Sequence, residues 1–183
     1  MSEYQYYEFC RISSPLPPEA RKEMAALSSR ARIGTHSAAY VYNYGDFRGD
    51  PKKLLLEYFD VFFYISNWGT VQLLFKYLNQ EMDSDRLKSY CIEEVINCEQ
   101  YDPYLVLSIE INNENGGNWI NGEELLPDLL PLYEEIQSKD YQFLRLVSAV
   151  HQKLTGEKQN ALSSVEGVLS SAQAAFLRSV GIY

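Results

Sequence analysis

The segment Tyr104–Asn112 alternates cleanly. Leu105, Leu107, Ile109 and Ile111 fall on one side and Val106, Ser108 and Glu110 on the other. A period of two over nine residues is the pattern of a half-buried β-strand. A strand of that kind needs partners and a covering layer, so the chain must build a sheet with at least one packed face. Other segments join it. Tyr4–Ile12 is aromatic enough for a strand, and Ser37–Tyr44 sets Ala39, Val41 and Asn43 opposite Tyr40, Tyr42 and Tyr44. Val61–Ser66 and Val71–Tyr77 are apolar runs of strand length, separated by the turn Asn67-Trp68-Gly69-Thr70. Glu94–Glu99 is a further strand candidate.

Helical patterning surrounds and follows these strands. Pro18 suits the first turn of a helix over Glu19–Ala31, whose Ala20, Met24, Leu27 and Ala31 make one apolar stripe. Asp50-Pro51 is a helix start, with Asp as N-cap and Pro at the first helical position, leading into Lys52–Asp60. Ser84–Tyr90 has room for a turn or two of helix. After a Gly- and Asn-rich loop at Glu114–Gly122, helices are expected over Gly122–Ser138, Asp140–Leu154 and Ser170–Val180. The polar stretch Thr155–Gly167 reads as a linker or exposed loop. Sheet first and helices last predicts an α+β fold. A mixed or antiparallel N-terminal sheet would carry two to three packed helices, and a helical segment would follow. The expected organisation is one domain over residues 1–183, sheet-rich in 1–112 and helical in 122–183, within the usual size range of domains.

With 46% apolar residues and 15 tyrosines, the chain can fill a core without disulfides or metals. Tyr suits both half-buried strands and interfaces, and the structural use is the commoner. Net charge is −9 and uneven. Residues 1–53 hold eight Lys and Arg against six Asp and Glu, while the rest holds eight against 19. An acidic surface repels phosphate backbones and anionic lipid, so nucleic acid is not the expected partner. Arg11, Arg21, Lys22, Arg30, Arg32, Arg48, Lys52 and Lys53 read as solvated charges interleaved with acids. Neither a basic-then-apolar leader nor an apolar run of 18 residues is seen, so neither signal peptide nor membrane span is expected.

Motifs of catalysis do not appear. The chain carries neither GxxxxGK[ST], GxGxxG nor GxSxG, and no cofactor is implied. Cys91 and Cys98 lack the CxxC spacing of structural zinc sites, and no metal is expected. With Cys10 they make three cysteines, an odd and widely spaced set that suits free thiols in a reducing cytoplasm and reads as small buried apolar groups. Cys10 with His36 or His151 is a conceivable nucleophile and base, though nothing in the sequence places them together. Glu93-Glu94, Glu123-Glu124 and Glu134-Glu135 read as solvated faces.

Candidate contact residues remain. The segment Tyr44–Pro51 reads as a turn in which Gly45 and Gly49 supply positive φ and Asp50 caps the next helix. It also offers Asp46 and Arg48 beside Phe47. Trp68 and Trp119 sit in loops, and Trp, Tyr and Arg dominate interface energetics. Asp46, Phe47, Arg48, Asp50, Trp68 and Trp119 are therefore the candidate interaction residues. They would serve a non-catalytic protein-interaction or regulatory module with a protein partner. The alternative is an enzyme whose polar site is built from Asp46, Arg48 and Asp50 near Tyr44.

The opening Met1–Phe9, Leu-Ser-Ser-Arg-Ala at Leu27–Ala31, Gly-Asp-Phe-Arg-Gly-Asp-Pro at Gly45–Pro51, Tyr-Phe-Asp at Tyr58–Asp60 and Asn-Trp-Gly at Asn67–Gly69 resemble a set of bacterial proteins with no established activity. The resemblance extends more loosely through Gly117–Trp119, Leu125–Tyr133 and Ala172–Arg178, and is densest over residues 1–70. The polar loops Asn79–Asp85 and Thr155–Gly167 depart from the pattern. The resemblance implies a bacterial cytoplasmic origin and carries over no catalytic residue.

Overall fold

The alternating segment is the strand β7 (Tyr104–Asn112), and it lies near one edge of a seven-stranded sheet. In the computed structural model, which describes residues 3–115 and 120–182, the other strands are β1 (Gln5–Cys10), β2 (Arg32–Ile33), β3 (Ser37–Tyr42), β4 (Val61–Ser66), β5 (Thr70–Leu78) and β6 (Ile96–Tyr101). Their order is β2-β3-β1-β4-β5-β7-β6, and every pairing is antiparallel. Register puts the aromatic rings together: Tyr7 stands opposite Tyr40 on one side and Tyr64 on the other.

Alternation then sorts the side chains into two cores. On one face Phe9, Tyr40 and Phe62 pack against Ala20 and Met24 of α1 (Pro18–Ala26) and Leu54 and Leu55 of α2 (Pro51–Tyr58). On the other, Phe63, Leu73, Phe75, Leu107 and Ile109 meet the C-terminal helices. These are α4 (Leu125–Leu129), α5 (Pro131–Gln137), α6 (Gln142–Leu154) and α7 (Ser171–Ser179), with the short α3 (Ser84–Lys88) preceding β6. The protein is thus α+β, with a fully antiparallel sheet. Most tyrosines of the strands serve the core: Tyr6, Tyr7, Tyr40, Tyr64 and Tyr77 are buried.

Three elements differ from the sequence expectation. Helix α1 stops at Ala26 because Ser28 turns the chain, its hydroxyl accepting from Arg30 N at 3.2 Å and its carbonyl from Ala31 N at 3.1 Å. Leu27 and Ala31 still pack on the core, but from a turn, and Arg32–Ile33 becomes an edge strand. The helix expected over Gly122–Ser138 is broken at Pro131, which has no N–H to continue the ladder and opens α5 instead. Thr155–Gly167 is more than a linker, since a 3-10 turn at Ala161–Ser164 buries Ala161 completely.

Candidate functional site at the loop end of the sheet

Antiparallel register gathers several connections at one end of the sheet. The start of β1, the ends of β3 and β4, the start of β5 and the end of β7 all lie there, as Gln5↔Tyr42, Gln5↔Ser66 and Thr70↔Asn112 show. The Gly45–Pro51 loop, the Trp68 turn and the chain after Asn112 therefore leave from the same edge.

The Gly45–Pro51 loop is anchored from below. Gln5 is buried, and its Oε1 accepts from the Tyr7 hydroxyl at 2.7 Å and the Tyr64 hydroxyl at 3.0 Å. Its Nε2 donates to the Gly45 carbonyl at 3.0 Å. Gly45 has a φ of 77°, as a turn glycine should. Gly49 does not; it is small because a Cβ there would lie 2.8 Å from the Phe47 ring. Phe47 is half-buried, its ring centroid 5.0 Å from that of Tyr7 and 4.9 Å from that of Tyr40. It plugs the aromatic core rather than facing a partner. Asp50 caps α2, accepting from Lys52 N at 3.1 Å and Lys53 N at 3.2 Å. It also lines an open cavity of about 500 Å³ with Lys52, Lys53, Leu56, Glu57 and Tyr101. Asp46 and Arg48 are exposed, and among the described residues they form no ion pair with each other.

Trp68 is 43% exposed and Tyr44 79%. The turn that carries Trp68 is held on both sides. Asn67 N donates to Tyr4 O at 3.0 Å, and Asn67 Oδ1 accepts from Tyr4 N at 3.1 Å. Asn113 N donates to Gly69 O at 2.9 Å. Gly69 has a φ of 95°, and a Cβ there would fall 2.2 Å from the Asn113 carbonyl oxygen. The Tyr4 hydroxyl reaches the far side of the same loop, donating to Asn121 Oδ1 and accepting from Gly122 N, each at 2.9 Å. Trp119 lies outside the described residues.

A second cleft, of about 470 Å³, opens at the other end of β1. It is lined by Cys10, Arg11, His36 and, from α4, α5 and the residue between them, Pro127, Glu134 and Leu130. Cys10 and His36 do share a cleft, then, while His151 sits half-buried on α6. Burial pushes the Cys10 thiol up to about 11, with Glu8 and Asp60 adding to it. A thiol so placed stays protonated at neutral pH and is a poor nucleophile.

The other cysteines correct the expectation of buried apolar groups. Cys91 is exposed, its thiol 3.8 Å from the Leu87 carbonyl, and Cys98 is half-buried. Among the described residues, no group of three His, Cys, Asp or Glu side chains is placed to hold a metal, and no helix is long and apolar enough to cross a membrane. Comparison with protein-family models, curated proteins and solved structures finds no match to the chain.

Proposed function

We propose that the protein is a non-catalytic interaction or regulatory module of a bacterial cytoplasmic system, and that it docks a protein partner through the loop end of its sheet. The bacterial setting rests on the resemblance carried by Gly45–Pro51 and Asn67–Gly69; the cytoplasmic one rests on three cysteines present as free thiols. One observation carries the docking: two large aromatics, Tyr44 and Trp68, stand exposed at the same end of a rigid frame. Aromatic side chains of this type supply most of the energy of protein contacts. A turn already fixed by Tyr4, Asn67 and Asn113 loses little entropy on binding. Exposed Asp46 and Arg48 would form the polar rim.

The test begins with recovery of the tagged protein from its host and ends with the purified partner in a titration. Trp68→Ala is expected to weaken that binding about 30-fold or more, the effect of losing a contact worth about 2 kcal/mol. Tyr44→Ala should weaken it less, and both variants should keep the wild-type urea midpoint. A protein recovered without a stoichiometric partner, or a partner that binds Trp68→Ala as tightly as wild type, would overturn the reading.

A further inference from the structure

The apolar cluster under α1 and α2 reaches β5 and β7 only at Leu74 and Val106. Beyond these two residues the same face of the sheet turns polar. Alternation from Leu74 brings up Gln72, from Val106 it brings up Ser108 and Glu110, and from Tyr101 it brings up Glu99 and Asn97. Register sets them in rows, with Gln72 opposite Glu110, and Leu74, Ser108 and Asn97 side by side. These side chains line an open cavity of about 530 Å³, with Lys52 of α2 and Glu94 among its walls. It adjoins the cavity of about 500 Å³ at Asp50 and Tyr101, since Lys52 lines both. Each lies within the size range of ligand sites, about 300–1,000 Å³. A polar sheet face in water is ordinary. Here, however, the polar side chains are half-buried in a cavity, and its carboxylates are held by their neighbours. Glu110 Oε2 accepts from Gln72 Nε2 at 2.6 Å, and its Oε1 from Asn112 Nδ2 at 3.1 Å. Glu99 Oε1 accepts from Lys52 Nζ at 2.8 Å, and its Oε2 from the Tyr101 hydroxyl. In the row between these carboxylates stand Ser108 and Asn97, and among the described residues neither side chain has a hydrogen-bond partner.

We propose that this open face of β5, β7 and β6 binds a short neutral saccharide. The chemistry of the lining selects that class. A carboxylate only accepts, an amide both donates and accepts, and a hydroxyl does either. The floor thus offers fixed acceptors on Glu110 and Glu99 beside the free amide of Asn97 and the free hydroxyl of Ser108. A matching ligand carries closely spaced groups that each donate and accept, as the hydroxyls of a sugar do. Hydroxyls of one unit meet Asn97, Ser108 and the remaining lone pairs of Glu110. A second unit lies toward Tyr101, whose half-buried ring offers an apolar surface to its C–H face. A cationic ligand would meet the Lys52 ammonium, and an anionic one Glu94, Glu99 and Glu110, so a neutral ligand avoids both repulsions. None of these residues belongs to the Tyr44–Trp68 surface, so the site stands whether or not that surface docks a protein.

The experiment follows the amide signals of the full, isotope-labelled chain by nuclear magnetic resonance. Maltose, cellobiose, lactose and chitobiose are each added to about 20 mM, well above a Kd of about 1 mM, with spermidine as the cationic control. At least one of the disaccharides is expected to shift the side-chain amides of Gln72 and Asn97 and the backbone of β5, β6 and β7, leaving α6 and α7 unmoved. Asn97→Ala should weaken that binding about fivefold to tenfold, the loss of one hydrogen-bonding partner, and keep the wild-type urea midpoint. Trp68→Ala should bind the sugar as wild type does, which separates this site from the docking surface. Signals on this face that stay still with all four sugars would overturn the saccharide site. So would shifts produced by spermidine alone, or an Asn97→Ala variant that binds as tightly as wild type.

Discussion

Glu8 stands on β1 between Tyr6 and Cys10, on the face that meets the C-terminal helices. The Tyr6 hydroxyl donates to its Oε2 at 2.9 Å. Burial nevertheless raises its pKa, outweighing the pull of that bond and of Arg32. A carboxyl that holds its proton more tightly folded than unfolded makes stability fall as pH rises from the ordinary carboxylate value through the raised one. Glu8→Gln keeps an acceptor for Tyr6 and removes the charge. It is expected to raise the urea midpoint at pH 7 and to lose that advantage below about pH 4, where the carboxyl is protonated in both states. An equal gain at both pH values would show that Glu8 is not held at a cost in its charged form. The candidate loop residues divide in the same physical way. Phe47→Ala removes a ring in contact with Tyr7, Tyr40, Phe9 and Tyr42 and should cost about 2–3 kcal/mol in urea unfolding, somewhat below the value for a fully buried ring. Asp46→Ala and Arg48→Ala, both at exposed positions, should stay within about 0.5 kcal/mol of wild type.

Among the elements, the β4–β5 turn has the least freedom. Gly69→Ala would force a side chain into a φ of 95° and drive its Cβ against the Asn113 carbonyl, a backbone atom that cannot swing away. The expected loss is about 2 kcal/mol or more in urea unfolding, with a shift in Trp emission because Trp68 is the preceding residue. A variant with unchanged midpoint and spectrum would mean that the turn and the loop after β7 are not locked together. The sequence made this turn visible through Asn67-Trp68-Gly69, and the α2 start through Asp50-Pro51, because both depend on chemistry within four residues. The break at Pro131 was missed by the expectation of one helix over Gly122–Ser138, although proline within a helical pattern marks a boundary. Other features were set by distant partners. Arg32–Ile33 is a strand only because Ala38 and Ala39 return beside it. The exposure of Trp68 and the inward turn of Phe47 depend on how the sheet brings the loops together, which no local pattern encodes. Arg86 of α3 and Arg145 of α6 meet at the Tyr90 hydroxyl across more than 50 residues, and only the folded chain shows it.

At the scale of the molecule, one sheet is shared by two cores. The helices α1 and α2 cover β1, β3 and β4 on one face, while α4 to α7 close the other. The chain's last helix is tied back to its middle. Phe176 meets Phe143 edge-on at 4.9 Å, Gln173 Nε2 donates to Glu135 at 2.9 Å, and Asn113 Nδ2 donates to the Val180 carbonyl at 2.8 Å in the interior. A sheet-rich part and a helical part joined in this way should not unfold separately. The full chain is therefore expected to lose Trp fluorescence and far-ultraviolet ellipticity in one coincident urea transition. Phe176→Ala, which empties a fully buried position on α7, should move both transitions together by about 3–5 kcal/mol, though Trp68 lies in the sheet-rich half. A chain ending at residue 169 loses Ala172, Ala175, Phe176, Val180 and Ile182 from the core. Removing them together exceeds what an ordinary margin of about 5–15 kcal/mol can absorb, so that fragment should show no cooperative transition at all. Separate midpoints for the two probes, or a truncated chain that still unfolds cooperatively, would divide the molecule into two independent folding units.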